Sequence, residues 1–135
     1  MQYIIIRAYR PSDHAALADL VRQTWHYDRF CPPKTAARLA EVYLNSCLTN
    51  QTFIRVAEQK GQPVGVILGK HIPAHRCPLG LRLRWLASVA ALCAGRAGRA
   101  ATKPFACVQA VDDQLLAQAP GDYQGELAFF AIRQS

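Results

Sequence analysis

The stretch TFIRVAEQKGQPVGVILG, residues 52–69, consists of two apolar runs joined by four residues that include Gly61. The runs, 52–58 and 63–69, are rich in β-branched and other apolar residues, which favour an extended backbone. A short glycine-containing connection between two such runs is typical of an antiparallel β-hairpin. The stretch therefore predicts two adjacent strands in the middle of the chain.

Upstream of this hairpin, the sequence predicts one strand and two helices. Residues 3–9 are β-branched and aromatic and are followed by Pro11, which indicates a first strand. A helix is expected after Asp13, because apolar residues recur there at helical spacing, namely Leu17, Leu20, Val21, Thr24 and Trp25. A second helix is expected from Thr35 to about residue 49, with a buried stripe of Leu39, Val42, Tyr43 and Cys47.

Residues 71–124 separate the hairpin from the last predicted strand and form a basic, helical insertion. We expect a helix over 81–93, a connector over 95–99 and a second helix over 105–119. Because the first of these helices is apolar almost all round, it is expected to be buried.

The positive charge of the chain is concentrated in one region. Residues 60–111 contain eight Lys or Arg residues and no Asp or Glu. The whole chain has a net charge of +7, so this region carries +8 and the rest carries −1. Such a field attracts anionic partners, among which nucleic acid is the least favoured. A solvated basic face without a specific partner is the alternative.

Length and composition indicate one domain, residues 1–135, with enough apolar residues to form a core. The apolar run over 86–94 is too short to span a membrane, and residues 1–7 lack the features of a secretory signal, so a cytoplasmic location is expected. The five cysteines form an odd set without a CxxC pair, which favours reduced thiols. The irregular spacing of His71, His75 and Cys77 predicts no metal site.

The last strand is predicted over 125–133 and contains the sequence ELAFFAI at 126–132. Six consecutive apolar residues follow Glu126, a pattern typical of a strand that is buried on both faces. Together with the upstream elements, this strand predicts an α/β (α+β) fold with a mixed, largely antiparallel sheet flanked by helices.

Three segments in this order resemble the N-terminal half of the GNAT superfamily of N-acetyltransferases. They are IIRAYRPSDH at residues 5–14, VAEQKGQPVGVI at 56–67 and the final ELAFFAI. The resemblance covers roughly residues 3–69 and 125–135 and does not account for the basic insertion. It implies a GNAT-like domain that transfers an acetyl group from acetyl-CoA to an amine.

In that family the last strand splays from its neighbour, and its free backbone groups bind the pantetheine arm of acetyl-CoA. The resemblance thus assigns cofactor binding to Phe130, Ala131 and Ile132, chiefly through the main chain of Phe130 and Ile132. It makes Glu126 the candidate general base that removes the proton of the acceptor amine. A strand-end glutamate that faces solvent or pairs with a basic residue is the alternative for Glu126.

The connector between the first two helices helps to line the acceptor site in GNAT folds. By resemblance, the candidate substrate-binding residues are Trp25, Tyr27, Asp28 and Phe30, and the acceptor is a small-molecule or peptide amine. Aromatic side chains would form the wall of the site, and Asp28 would attract the charge of the amine. Alternatively, Trp25 and Phe30 belong to the core.

The family's glycine-rich pyrophosphate loop does not follow Ile132 in these residues, since Arg133 and Gln134 lead only to Ser135. We therefore expect a truncated, N-terminal portion of a GNAT domain, incomplete at its C-terminus. Its free edge is expected to favour self-association into a homo-oligomer such as a dimer. A catalytically inactive module that binds partners through its basic segment is the alternative function.

Overall fold

The computed structural model describes residues 3–134, which form one four-stranded sheet and four α-helices. Three single-turn 3-10 helices lie at residues 11–13, 27–29 and 72–74. The predicted α+β fold class is confirmed. The elements in chain order are β1 (Ile4–Ala8), α1 (His14–Thr24), α2 (Pro33–Thr49), β2 (Phe53–Gln59), β3 (Gln62–His71), α3 (Leu79–Cys93), α4 (Arg96–Gln118) and β4 (Gly125–Ile132).

The sheet has the strand order β1-β2-β3-β4, and each strand is antiparallel to its neighbour. The predicted hairpin is confirmed, with Val56 of β2 opposite Val66 of β3. Its loop consists of Lys60 and Gly61, whose φ angles are 51° and 77°. A two-residue turn with positive φ at both positions matches the right-handed twist of the strands that it joins.

Helices α1 and α2 cover one face of the sheet, and we call this covered side the inner face. Val56, Val66 and Leu68 of the two central strands lie on it and are buried against the helices. The helices contribute Leu17, Leu20, Val21 and Leu39, which their spacing predicts. They also bury Leu44 and Leu48, which were outside the predicted stripe of α2, whereas Val42 and Tyr43 of that stripe are only partly buried. The core therefore lies between the sheet and these two helices.

The opposite side of the sheet is largely exposed, and we call it the outer face. Apolar side chains from three strands project from it: Ile4 and Ile6 of β1, Phe53 of β2, and Leu127, Phe130 and Ile132 of β4. On β4, Phe129 is 6% exposed on the inner face, whereas Phe130 is 60% exposed on the outer face. The prediction that β4 is buried on both faces was wrong, because the helices of residues 3–134 cover only one.

An ion-pair cluster fixes β1 to the start of α1. The guanidinium of Arg7 donates hydrogen bonds to both carboxylate oxygens of Asp13 at 2.8 Å and to Glu58 of β2 at 2.5 Å. Asp13 is only 3% exposed and also accepts a bond from the backbone N–H of Arg10. These bonds hold the pKa of the Asp13 carboxyl below its usual value.

Helices α3 and α4 form a further layer, in which α3 packs on the side of α2. Of the residues in α3, only Leu92 is buried, while Leu79, Leu83 and Leu86 are exposed. The prediction of a buried α3 was wrong, because within residues 3–134 the contacts with α2 and α4 leave most of its side chains exposed or only partly buried. No helix among residues 3–134 combines the length and the apolar character that crossing a membrane requires.

The predicted connector over 95–99 is helical in the structure, except for Gly95, which precedes the first residue of α4. Helix α4 therefore begins nine residues before the predicted start at 105. Gly98 lies against the end of α3, and a Cβ placed on Gly98 would stand 1.7 Å from the carbonyl oxygen of Leu92. The connector was predicted from Gly95 and Gly98. It was wrong at Gly98, because this glycine allows a close contact between α4 and α3.

Candidate functional site

The pattern of hydrogen bonds between β4 and β3 determines which backbone groups of β4 face away from the sheet. The backbone N–H of Arg133 donates to the carbonyl of Val64 at 2.7 Å. Hydrogen-bonded and non-hydrogen-bonded positions alternate along an antiparallel pair. Ala131, two residues before Arg133, is therefore bonded to β3, whereas the N–H and C=O groups of Phe130 and Ile132 face the other way.

That other edge of β4 has no neighbouring strand in the part of the chain that the structure describes. The outward backbone groups of Phe130 and Ile132 therefore have no strand partner there. An exposed edge of this kind can bind an extended, amide-containing ligand as if it were a further strand. Cofactor binding by these two residues stays a prediction.

A cleft of about 230 Å³ lies between the C-terminal end of β4 and the end of α1. Residues 130–134 form one wall, and Leu20, Gln23, Thr24 and His26 form the other. His26 adopts a left-handed backbone conformation, with φ of 53°, just after α1 ends. The cleft is smaller than a typical site for a whole cofactor, so it suits one segment of an elongated ligand.

Glu126 lies near the start of β4, opposite Lys70 of β3. One carboxylate oxygen is 3.4 Å from the Lys70 ammonium, and the Glu126 side chain is 54% exposed. More than half of this carboxylate side chain is therefore exposed, although the residues that follow it in β4 are apolar. Its role as a general base remains a prediction.

Glu126 shares the inner face with Phe129, since their partners Lys70 and Leu68 alternate with Gly69 along β3. Its charge also acts on Cys47 of α2. Burial raises the pKa of the Cys47 thiol to about 11, and the negative charge of Glu126 adds to this rise. The carboxylate therefore lies at the rim of the core beneath α2.

An aromatic cluster links the helices to β4 on this inner face. The rings of Trp25 and Tyr43 meet edge to face with centroids 5.7 Å apart, and Tyr43 meets Phe129 in the same way at 5.4 Å. Trp25 also lies 6.5 Å from Phe129. Because Trp25 is about half exposed, the cluster presents an aromatic surface beside β4.

The other three predicted substrate-binding residues are placed differently. Tyr27 is 2% exposed and packs edge to face against Phe30 and Phe105. Asp28 is paired with Arg22 through two hydrogen bonds, at 2.8 and 2.5 Å. Phe30 is exposed, and its described ring contact is with Tyr27. Of the four residues, the structure brings only Trp25 into ring contact with β4.

Tyr43 and Gln23 belong to the site but were not among its predicted residues. Tyr43 stands in the stripe predicted to be buried, where the only available signal was that it is the one aromatic residue of that stripe. Gln23 lines the cleft because α1 ends next to β4. No local pattern in the sequence indicates this contact between α1 and β4.

No group of three His, Cys, Asp or Glu residues within 3–134 is arranged to hold a metal ion. Comparison of the chain with protein-family models, with curated proteins and with solved structures gave no match. The fold and the site therefore define the class of this protein. It is an α+β protein with a four-stranded antiparallel sheet, helices on one face and an open β4 edge beside a cleft.

Proposed function

We propose that this chain is a GNAT-like N-acetyltransferase, or a truncated form of one, which binds acetyl-CoA along the free edge of β4. The observation that carries the proposal is the outward orientation of the Phe130 and Ile132 backbone groups beside the cleft. The pantetheine arm is extended and contains two amides, so it can pair with these groups as a strand would. The order of the elements also supports the proposal. Two helices follow β1, and the strands lie in the sheet in chain order, as in the family that the chain resembles.

Acetyl transfer requires stabilisation of the thioester oxygen, which becomes negative as the amine attacks. A backbone N–H that faces the ligand can donate to this oxygen. In the proposed arrangement the Phe130 N–H is that donor, because it points away from β3 beside the cleft at the C-terminal end of β4.

The acceptor amine would bind on the inner-face side of the same edge. Trp25, Tyr43 and Phe129 provide an aromatic wall there, which suits the cationic or aliphatic part of an amine. Glu126 would accept the amine proton, directly or through water, while Lys70 holds its carboxylate near the strand. A small molecule and a peptide are both compatible with this surface.

The edge suits the pantetheine arm better than the pyrophosphate. Residues 126–135 contain no glycine, so they lack the close-approach loop that binds pyrophosphate in GNAT proteins. Arg133 lines the cleft at the end of β4, and its guanidinium is 4.0 Å from Asp19. We therefore expect S-acetylpantetheine to retain most of the binding free energy of acetyl-CoA.

A pair of variants at Phe130 tests the proposal by calorimetry. Phe130→Pro removes the outward N–H, whereas Phe130→Ala keeps it and removes the same exposed ring. Proline is tolerated at an edge position whose N–H does not bond within the sheet. Loss of one hydrogen bond should weaken acetyl-CoA binding by Phe130→Pro about fivefold relative to Phe130→Ala. Equal affinities of the two variants, or no binding by the unmodified chain, would refute it.

A second candidate function, a basic interaction module without catalysis, is favoured by the surface of α3. Leu83 and Leu86 are exposed beside Arg82 and Arg84, and no acidic residue lies within 60–111. Salt-sensitive binding to anionic vesicles, together with no response to acetyl-CoA, would favour this function over acetyl transfer.

A further inference from the structure

A second cavity, of about 400 Å³, lies between the start of α1 and the facing sides of α2 and α3. Its lining shares no residue with the β4 cleft. We propose that this cavity binds a small organic anion, one that carries a carboxylate or phosphate group and a nearby hydroxyl. The proposal does not depend on acetyl transfer.

Two guanidinium groups provide the positive charge of the cavity. Arg38 of α2 is partly buried and Arg84 of α3 is exposed at the rim. Within residues 3–134, neither group has a hydrogen bond or an ion pair. Guanidinium groups bind carboxylate and phosphate oxygens through paired N–H donors. Two unpaired arginines that line one cavity therefore favour an anionic ligand.

The acidic residue of the cavity is already engaged. Glu41 lies three residues after Arg38 on α2, yet its carboxylate is bound by Nε2 of His14 at 2.6 Å. The other ring nitrogen of His14 is 3.3 Å from the hydroxyl of Tyr9. If Nε2–H donates to Glu41, the Tyr9 hydroxyl donates to Nδ1. This chain of bonds holds the Glu41 carboxylate and leaves both arginines free for a ligand.

The position of Arg84 supports an anionic ligand in the cavity. Burial raises the pKa of the Tyr9 phenol, and the positive charge of Arg84 opposes that rise. Arg84 therefore lies close enough to the Tyr9–His14–Glu41 chain for its charge to act inside the cavity. Helix α3 contains no acidic residue that would neutralise it.

Asn45 supplies a second, independent indication of a ligand. It lines the cavity one helical turn after Glu41 and is only 3% exposed. Its amide oxygen has no hydrogen-bond partner in the described part of the chain. Buried polar atoms are nearly always paired, so the unpaired oxygen of a residue that lines the cavity favours a ligand that brings a donor. A hydroxyl next to the anionic group is such a donor.

Calorimetric titration of the full chain at constant ionic strength tests the proposal. Malate and glycerol 3-phosphate are the carboxylate and phosphate probes, and succinate matches malate without its hydroxyl. We expect at least one hydroxylated probe to bind, and malate to bind more tightly than succinate if the carboxylate is the preferred anion. Failure of both hydroxylated probes to bind at concentrations on the order of 10 mM would overturn the proposal.

Two arginine variants distinguish a built site from general attraction to positive charge. Arg84→Gln removes a cavity cation, whereas Arg96→Gln removes an exposed cation at the start of α4 that has no partner among the described residues. Arg84→Gln should weaken binding of the better probe about tenfold, and Arg96→Gln less than about twofold. Equal losses would overturn the proposal. Acetyl-CoA binding should be the same in both variants, which separates this test from that of the β4 edge.

Discussion

The backbone N–H of Arg133 and the carbonyl of Val64 are joined by a 2.7 Å hydrogen bond, which sets the register of the whole β4 edge. Because of this bond, Phe130 and Ile132 direct their backbone groups away from β3. A shift of β4 by one residue would instead expose the backbone of Ala131 and turn Phe130 towards the inner face. The proposed cofactor contacts therefore depend on a specific pairing of strands.

We predict that Arg7 is essential for attachment of β1. Arg7→Met leaves the Asp13 carboxylate, which is 3% exposed, without its main partner. An unpaired buried charge is strongly destabilising, so the melting temperature should fall by about 10 °C. Arg22→Met is the matched control, because it breaks a more exposed pair with Asp28 and should lower the melting temperature by less than about 2 °C. Similar melting temperatures for the two variants would show that the Arg7 cluster is not structural.

The same cluster predicts a pH dependence of stability. The pKa of Asp13 is depressed below its usual 3.8, first by its hydrogen bonds from Arg7. A depressed folded pKa stabilises the protein above the unfolded value, and this contribution is lost as the pH falls through the folded pKa. The stability difference between the unmodified chain and Asp13→Asn should therefore be largest near neutral pH and shrink below pH 3.8. Thermal unfolding from pH 7 to pH 3 measures it, and a constant difference would contradict the assignment.

We predict that α3 and α4 cannot accommodate a side chain at Gly98. Gly98→Ala places a methyl group into the carbonyl of Leu92, so the helices must separate at a cost of about 1–3 kcal/mol. Gly80→Ala is the control, because nothing lies within 4 Å of its Cβ position in α3. That substitution should raise stability by up to about 1 kcal/mol. Chemical denaturation compares the two, and a stable Gly98→Ala variant would mean that the predicted flexible connector was the better description.

Self-association of the isolated chain is a further prediction. The outer face presents Ile4, Ile6 and Phe130, and a bare apolar sheet with an open edge recruits other strands. Sedimentation should show a concentration-dependent oligomer that Ile6→Lys weakens. Leu116→Lys, which changes an equally exposed position on α4, should have little effect. A monomer across a tenfold concentration range would contradict this prediction.

Local patterns predicted the order of elements because each element has its own periodicity. The hairpin followed from its glycine turn, and α1 and α2 followed from apolar residues at helical spacing. Burial was harder to predict, since it depends on what covers each element. Both the apolar run of β4 and the nearly uniform apolar surface of α3 indicated full burial, yet each is only partly covered among residues 3–134.

The candidate site was only partly predictable for a similar reason. That Phe130 and Ile132 share one orientation could be predicted, because strand alternation is a local property. Their cofactor role stays a prediction. The ion pair of Glu126 depends on its position opposite Lys70, and the aromatic cluster depends on how α1 and α2 meet β4. Such contacts join residues that are far apart in the chain, so no short pattern in the sequence reveals them.

Amide hydrogen exchange along β4, measured by NMR with and without acetyl-CoA, tests the central claim most directly. At a concentration where sedimentation shows a monomer, the Phe130 and Ile132 amides should exchange much faster than those of Phe129 and Ala131, which bond to β3. Saturating acetyl-CoA should then slow exchange at Phe130 and Ile132 and leave the other two unchanged. Protection of Phe130 in the free chain equal to that of Ala131, or no change on addition of acetyl-CoA, would contradict the account.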